Sequence, residues 1–265
     1  MKYQINRILN NIGIKLTKFK KSPYEDLLSI SRYNEVKINL LGKEFTIADS
    51  HSFYWNYREI FLDEIYKFKC KNKSPIIIDC GSNYGTSIVY FKTIFPDSRI
   101  LGVEADPEIF NILKTNIDIQ NYKNITILNK AVASEKGTIK FFNEGADGGR
   151  MHKMDNSEKY FDVETIALDD LINGEVDFLK IDIEGAETDV LSSSKKLNQV
   201  KQIFIEYHSF VDSNQQLSQL LGILSNNQFR YYIQDIYCPA IPFQKIEDHN
   251  GMDLQLNIFA IKNAP

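Results

Sequence analysis

The chain has 265 residues, 43% of them hydrophobic, 25% charged and 12% aromatic, with 31 Lys and Arg against 35 Asp and Glu. These proportions exclude disorder, low complexity and collagen-like repeats, and the net charge of −4 argues against a nucleic-acid partner, which takes a basic surplus to displace phosphate counterions. Cys70, Cys80 and Cys238 form no CxxC pair and no zinc pattern; they read as free thiols, with Cys80 in the core.

Residues 1–21 are basic and carry Ile5, Ile8, Ile12, Leu16 and Phe19 at helical spacing. An amphipathic helix is expected there, packed on the domain or a second copy, or making peripheral contact with an anionic membrane surface. The segment lacks the h-region and cleavage site of a secretory signal, and no apolar run reaches the length of a membrane span. The expected place is the cytoplasm, with the inner face of the membrane as the variant.

Residues 1–70 read as an N-terminal helical extension, with a helix start at Asp49-Ser50-His51-Ser52 and a helical stretch from Phe53 to Phe68. Tyr54, Trp55 and Tyr57 there are weighed as a sugar-stacking stripe and taken as core. Residues 71–265 form the second unit, in which strands and helices alternate.

Ile76-Ile77-Ile78 is a buried strand after the Ser74-Pro75 break; a helix then runs to Phe95, stopped by Pro96. Arg99 to Glu104 is a strand, and Asp106-Pro107 caps a helix with apolar face Ile109, Ile112, Leu113, Asn116 and Ile117. Ile125 to Leu128 and an edge-like Gly137 to Phe142 follow as strands. Asn143 to Asp155 is a long Gly-rich loop containing His152. Further strands are expected at Val163 to Ile166, Val176 to Ile181 and Gln202 to Glu206, with helices from Leu168 and Gly185. Ser213 and Gln216 are spaced as a capping box for a helix from Asp212 to Asn227. Phe229 to Ile233 and Leu256 to Ile261 close the chain as a strand pair. This order forces a mostly parallel sheet with helices on both faces, an α/β fold whose ligands bind beyond the carboxyl ends of the strands.

The first strand ends in Asp79-Cys80-Gly81-Ser82-Asn83-Tyr84-Gly85, where two glycines permit a tight turn and close approach to a ligand. A dinucleotide fingerprint needs G-x-G-x-x-G; here Asn83 takes the middle glycine position and the last glycine comes one residue early. Asp79, directly before the turn, would repel a pyrophosphate and suits the α-amino group of an amino acid. Glu104 ends the next strand 25 residues later, where a carboxylate can accept both hydroxyls of a ribose. Together these features point to S-adenosylmethionine rather than NAD. The plainer reading, glycines for chain geometry and Glu104 as a cap, leaves the pairing of the two acids unexplained.

The segments IIIDCGSNYGTSIVYF, VEADPEIFNILKTNI, NKAVASEKG, LDDLI and above all VDFLKIDIEGAETDVL resemble the FkbM family of S-adenosylmethionine-dependent methyltransferases, from about Pro75 to His208. Ser82 stands where that family often has Ala, and Ala105 where Pro is frequent. The resemblance implies a class I (Rossmann-like) methyltransferase fold, a seven-stranded sheet whose last strand inserts antiparallel. It implies that Asp79, Gly81, Asn83 and Gly85, with Ser82 in the same turn, line the methionine part, that Glu104 binds the ribose, and that Ala131 and Val132 lie near the adenine. It also implies O-methylation of sugar or polyketide hydroxyls.

A hydroxyl acceptor needs a base or a metal. Lys180 and Asp182 share one face of their strand, and Asp182 ends it towards the site; Glu206-Tyr207-His208 ends the neighbouring strand. His208 is expected as general base, with Asp182 holding it or the acceptor and also touching the cofactor. Lys180, Glu206 and Tyr84 are expected beside the substrate. Glu184 and Glu187 follow at the helix start, where the dipole favours acids; that plain reading serves for both and is kept for Glu187. A divalent metal such as Mg on Asp182, Glu206 and His208 is the alternative to a base. The expected activity is transfer of a methyl group to a hydroxyl of a sugar or glycan, in cell-surface polysaccharide or a related metabolite. N-methylation of an amine or protein, a non-catalytic membrane-associated scaffold and a Rossmann oxidoreductase are the competing readings.

Overall fold

The computed structural model describes residues 22–143, 159–245 and 248–262. The amphipathic stretch 1–21 and most of the Gly-rich loop, His152 included, lie outside them. Among the described residues no helix is long and apolar enough to cross a membrane.

The extension is not purely helical. β1 (Val36–Leu40) and β2 (Lys43–Ile47) form an antiparallel hairpin whose turn uses Gly42 at φ +89°. Asp49 then caps α1 (Ser50–Tyr57), accepting Ser52 N at 2.8 Å. The helix runs on through Arg58–Leu62 as a wide turn, with Asp63 N reaching Arg58 O at 2.9 Å, and stops short of the expected Phe68. Leu40, Phe45, Ile47 and Phe53 are fully buried and pack with Tyr84.

The alternating part follows as expected: β3 (Ile76–Cys80), α2 (Thr86–Ile94), β4 (Arg99–Glu104), α3 (Pro107–Gln120) and β5 (Ile125–Asn129). Asp106 caps α3 by accepting Glu108 N at 2.7 Å and Ile109 N at 3.2 Å. Buried Asn116 on α3 ties the extension to this body: its Oδ1 accepts Thr46 N at 2.8 Å, and its Nδ2 donates to Thr46 O at 2.8 Å and Tyr84 O at 2.9 Å.

β6 (Ala131–Ala133), β7 (Thr138–Asn143) and β8 (Lys159–Ala167) make a separate three-stranded sheet. After α4 (Leu168–Leu171) come β9 (Phe178–Ile181), α5 (Glu187–Ser193), β10 (Gln202–Phe210), α6 (Leu217–Asn226), β11 (Phe229–Tyr237) and β12 (Met252–Lys262). The capping box does not form: α6 begins at Leu217, and Gln216 N donates to Tyr207 OH at 2.9 Å.

The main sheet has seven strands in the order β11-β12-β10-β9-β3-β4-β5, parallel except for β12, which lies antiparallel between β10 and β11. This is the class I methyltransferase arrangement. Alternation along each strand divides the core: Ile78, Leu179, Ile203 and Ile205 face α5 and α6, whereas Ile77, Ile100, Phe178 and Phe204 face α2 and α3. Cys80 is fully buried, as expected.

Candidate active site

Beyond the carboxyl ends of β3, β4 and β9 the chain encloses a cavity of about 600 Å³, completed by β10, β12 and one side of α1. On one wall lies the turn after β3. A Cβ on Gly81 would stand 1.9 Å from the carbonyl oxygen of Asp182, and φ there is +82°. Gly85, at φ +99°, backs directly onto Leu113 of α3. Gly81, Ser82 and Asn83 line the cavity. Ser82 is buried, its hydroxyl donating to Asp79 O at 2.9 Å.

Glu104 faces the cavity from the end of β4, 8% exposed. One of its oxygens accepts Asn83 N at 2.8 Å and the other accepts Asp106 N at 2.9 Å. Burial pushes its carboxyl up to about 7 in spite of these two bonds. Each oxygen keeps a lone pair for a ligand donor. Ala131 and Val132, with Val103 and Ile109, form an apolar slot beside it.

Asp79 does not reach the cavity. It is fully buried, accepts Ser87 Oγ at 2.5 Å and has Lys180 Nζ 3.5 Å from its Oδ1. Lys180 is the junction of the site: it donates to Gly81 O at 2.7 Å and lies 3.2 Å from Asp182 Oδ2. Burial opposes its charge, but Asp182 and Asp79 are among the neighbours that hold the ammonium well above its ordinary range. The sequence put Lys180 beside the substrate; its side chain is 3% exposed and committed to these three partners. Tyr84, also expected there, does line the cavity, while its ring packs 6.2 Å from Phe45 and 6.4 Å from Phe53.

The opposite wall comes from KIDIEGAE. Glu184, at φ +56°, and Gly185, at φ +102°, turn the chain sharply after β9, and a side chain on Gly185 would meet the Phe210 ring at 2.9 Å. Asp182 and Glu184 line the cavity together with Glu206 of β10. Glu187, read from sequence as an ordinary helix-start acid, is 1% exposed and accepts Ile183 N at 3.2 Å and Gly185 N at 3.0 Å. It also accepts His208 Nδ1 at 3.0 Å, which fixes the ring.

His208 Nε2 then points at Glu206 Oε1 (3.5 Å), Glu184 Oε2 (3.7 Å) and the Gln255 amide (3.4 Å). Gln255, on β12, donates to Glu206 at 2.5 Å. His208 is 5% exposed and is not part of the cavity wall; Glu184 and Glu206 are. Burial disfavours its charge, but Glu184 and Glu187 outweigh this and hold the imidazole well above its usual range. Glu184 is pushed up to about 8, by burial first and then by Asp182 and Glu206, with His208 pulling the other way. Oxygens of Asp182 and Glu184 and a ring nitrogen of His208 lie within 4.8 Å of one another, a donor set chemically suited to Mg or Mn. It differs from the expected set by Glu184 in place of Glu206.

Sequence reasoning missed Glu59, Glu187 and Gln255. Glu59 lines the cavity from the wide turn after α1, and burial, with Glu206 and Asp182 near it, pushes it up to about 7. The π-type turn is invisible in sequence. His51 and His249, given no chemistry, also line the cavity.

Residues 79–231, more than half of the chain, match the Methyltransferase FkbM domain. The chain is 25% identical over 174 residues to the methyltransferase sdnD of Sordaria araneosa, covering 51% of this chain and 66% of sdnD, just under two thirds. It is 26% identical over 187 residues to Methyltransferase 1 of Beauveria bassiana, covering 57% of this chain and 75% of that protein. It is 25% identical over 155 residues to the 2-O-methyltransferase NoeI of Sinorhizobium fredii, covering 50% and 63%. With this match laid over a seven-stranded sheet in the class I order, the chain belongs to the FkbM family of S-adenosylmethionine-dependent methyltransferases.

Proposed function

We propose that this protein transfers the methyl group of S-adenosylmethionine to a hydroxyl of a small-molecule or glycan acceptor. The observation that carries the reading is the division of one cavity into a side where the Glu104 carboxyl lies beside apolar Ala131 and Val132, and an acidic side with Asp182, Glu184 and Glu206. That NoeI, one of the relatives, is a 2-O-methyltransferase supports oxygen as the acceptor atom.

In this reading Glu104 accepts the two ribose hydroxyls, and Ala131 and Val132 flank the adenine. The backbone of Gly81, Ser82, Asn83 and Gly85 shapes the methionine end. Asp79 acts as a positioning residue through Lys180 and Ser87. On the other side Asp182 and Glu206 orient the hydroxyl. Glu184, a stronger base than an ordinary carboxylate, takes its proton as the acceptor oxygen bonds the methyl carbon and the carbon–sulfur bond breaks, leaving S-adenosylhomocysteine. His208, its positive charge favoured by Glu184 and Glu187, stands behind Glu184 and favours the ionised carboxylate. A divalent cation on Asp182, Glu184 and His208 would lower the acceptor's own pKa instead.

Calorimetric titration of the full chain with S-adenosylhomocysteine and with NAD, each with and without EDTA, tests this. One site for S-adenosylhomocysteine and none for NAD is expected, and Glu104→Ala should lose that site while unfolding at the same temperature. Binding of NAD alone overturns the proposal. Methyl transfer that survives EDTA keeps Glu184 as the base; transfer lost with EDTA and restored by Mg assigns that work to a cation.

A further inference from the structure

One side of the cavity is supplied by residues that the family match, which begins at residue 79, does not reach. Along α1 and the wide turn after it, His51, Trp55 and Glu59 follow one another four residues apart, with Ser52 and Asn56 beside them, and all five line the cavity. The helix divides cleanly: Phe53 and Tyr54 are buried, whereas Trp55 is 55% exposed. The indole is braced by the Tyr54 ring at 5.0 Å and the Arg58 guanidinium at 5.6 Å, and Arg58 Nη1 donates to Tyr54 OH at 3.2 Å. A large apolar ring held in place and left open at a cavity wall offers a flat surface for the C–H face of another ring.

The wide turn adds a residue to the helical repeat. It buries Ile60, 5% exposed, and presents Glu59 to the cavity near Asp182 and Glu206. The cations of the wall are already engaged: Lys180 by Asp79 and Asp182, Lys130 by Glu164 at 2.6 Å, Arg32 by Asp49 at 3.3 Å. Among the described residues no Lys or Arg lies within ion-pair distance of Glu59, Glu184 or Glu206. Such a wall hydrogen-bonds hydroxyls and repels phosphate.

We propose that this side of α1 is the acceptor-reading surface for an unphosphorylated sugar ring, with Trp55 as the platform for its C–H face and Asn56 and Glu59 as partners for its hydroxyls. The proposal rests on the methyl-transfer reading and names its substrate class. With its carboxyl raised to about 7, Glu59 can donate as well as accept a hydrogen bond near neutral pH, which suits a hydroxyl. The hydroxyl to be methylated then points across the cavity to Glu184, while the rest of the ring lies along the helix.

Trp55 is the single tryptophan of the chain, so its emission reports this surface alone. The full chain loaded with S-adenosylhomocysteine is titrated with methyl pyranosides of several configurations, their 6-phosphates, phenol and n-butylamine. Trp55 emission and saturation-transfer NMR are read together. At least one neutral pyranoside should shift the emission and bind about tenfold more tightly than its phosphate. Glu59→Gln should weaken that pyranoside about tenfold and narrow the gap to the phosphate. Trp55→Ala should remove its saturation transfer, and Trp55→Phe should restore part of it. S-Adenosylhomocysteine binding should stay unchanged in all three variants. Preference for the phosphate, the phenol or the amine overturns the assignment, as does no response to any pyranoside while S-adenosylhomocysteine still binds. Failure of S-adenosylhomocysteine itself to bind overturns the underlying methyl-transfer reading instead.

Discussion

On the Glu104 side of the cavity, positions are fixed by main chain. Gly81 meets the carbonyl of Asp182, Gly85 meets Leu113, and both oxygens of Glu104 take backbone N–H groups. On the Glu184 side they are fixed by side chains from four distant stretches: Glu59, Asp182 to Glu187, Glu206 to His208, and Gln255. The first wall admits few residue types at each position but needs only one short segment and the next strand end. The second can be retuned one side chain at a time. A fold that keeps one ligand constant and varies the other gains from this division.

Substitutions that fall on one wall or on both test how separate they are. The largest effect is expected for Glu184→Gln, which leaves the backbone turn intact but removes the proton acceptor. Turnover should fall by about 10²–10⁴-fold with S-adenosylhomocysteine affinity unchanged, read by steady-state kinetics and calorimetry. An equal loss of both would mean that the walls are not independent. Lys180→Met should cross the division, because its ammonium serves Gly81, Asp79 and Asp182 at once. Leaving Asp79 buried without its partner should cost about 3–5 kcal/mol in denaturant unfolding, and cofactor affinity should fall with it.

The smallest effect is a pH slope. The Glu104 carboxyl rises from 4.5 to about 7 on folding, so folding favours its protonated form. Its contribution to stability is full below 4.5 and is lost as pH rises through 7. A ribose diol donates to the ionised form. S-Adenosylhomocysteine should therefore bind up to about tenfold more tightly at pH 8 than at pH 6. Glu104→Gln should flatten the slope. A slope that survives the substitution would place its origin in the Glu59, Glu184 and His208 groups across the cavity.

The same division explains what could be read from sequence. Asp79, the glycine turn and Glu104 are local signals, and the alternation of strands and helices set their places at the strand ends. The hairpin β1–β2 was hidden because five-residue strands look like any short mixed stretch. Glu187 is not legible in sequence because an acid in the first turn of a helix has an ordinary explanation; only its burial against His208 separates the two. Trp55 and Tyr54 are neighbours with opposite fates, one 55% exposed and the other 4%, and no local pattern in the sequence separates them. Gln255 lies 47 residues from His208 and meets it only because β12 inserts beside β10.

That insertion has a consequence for biosynthesis. Until β12 leaves the ribosome, β10 and β11 each present a bare edge, and Glu206 lacks the amide that steadies it. The Glu104 side of the cavity can assemble on the nascent chain, but the side that carries Glu206 and His208 is completed only when β12 threads into the gap.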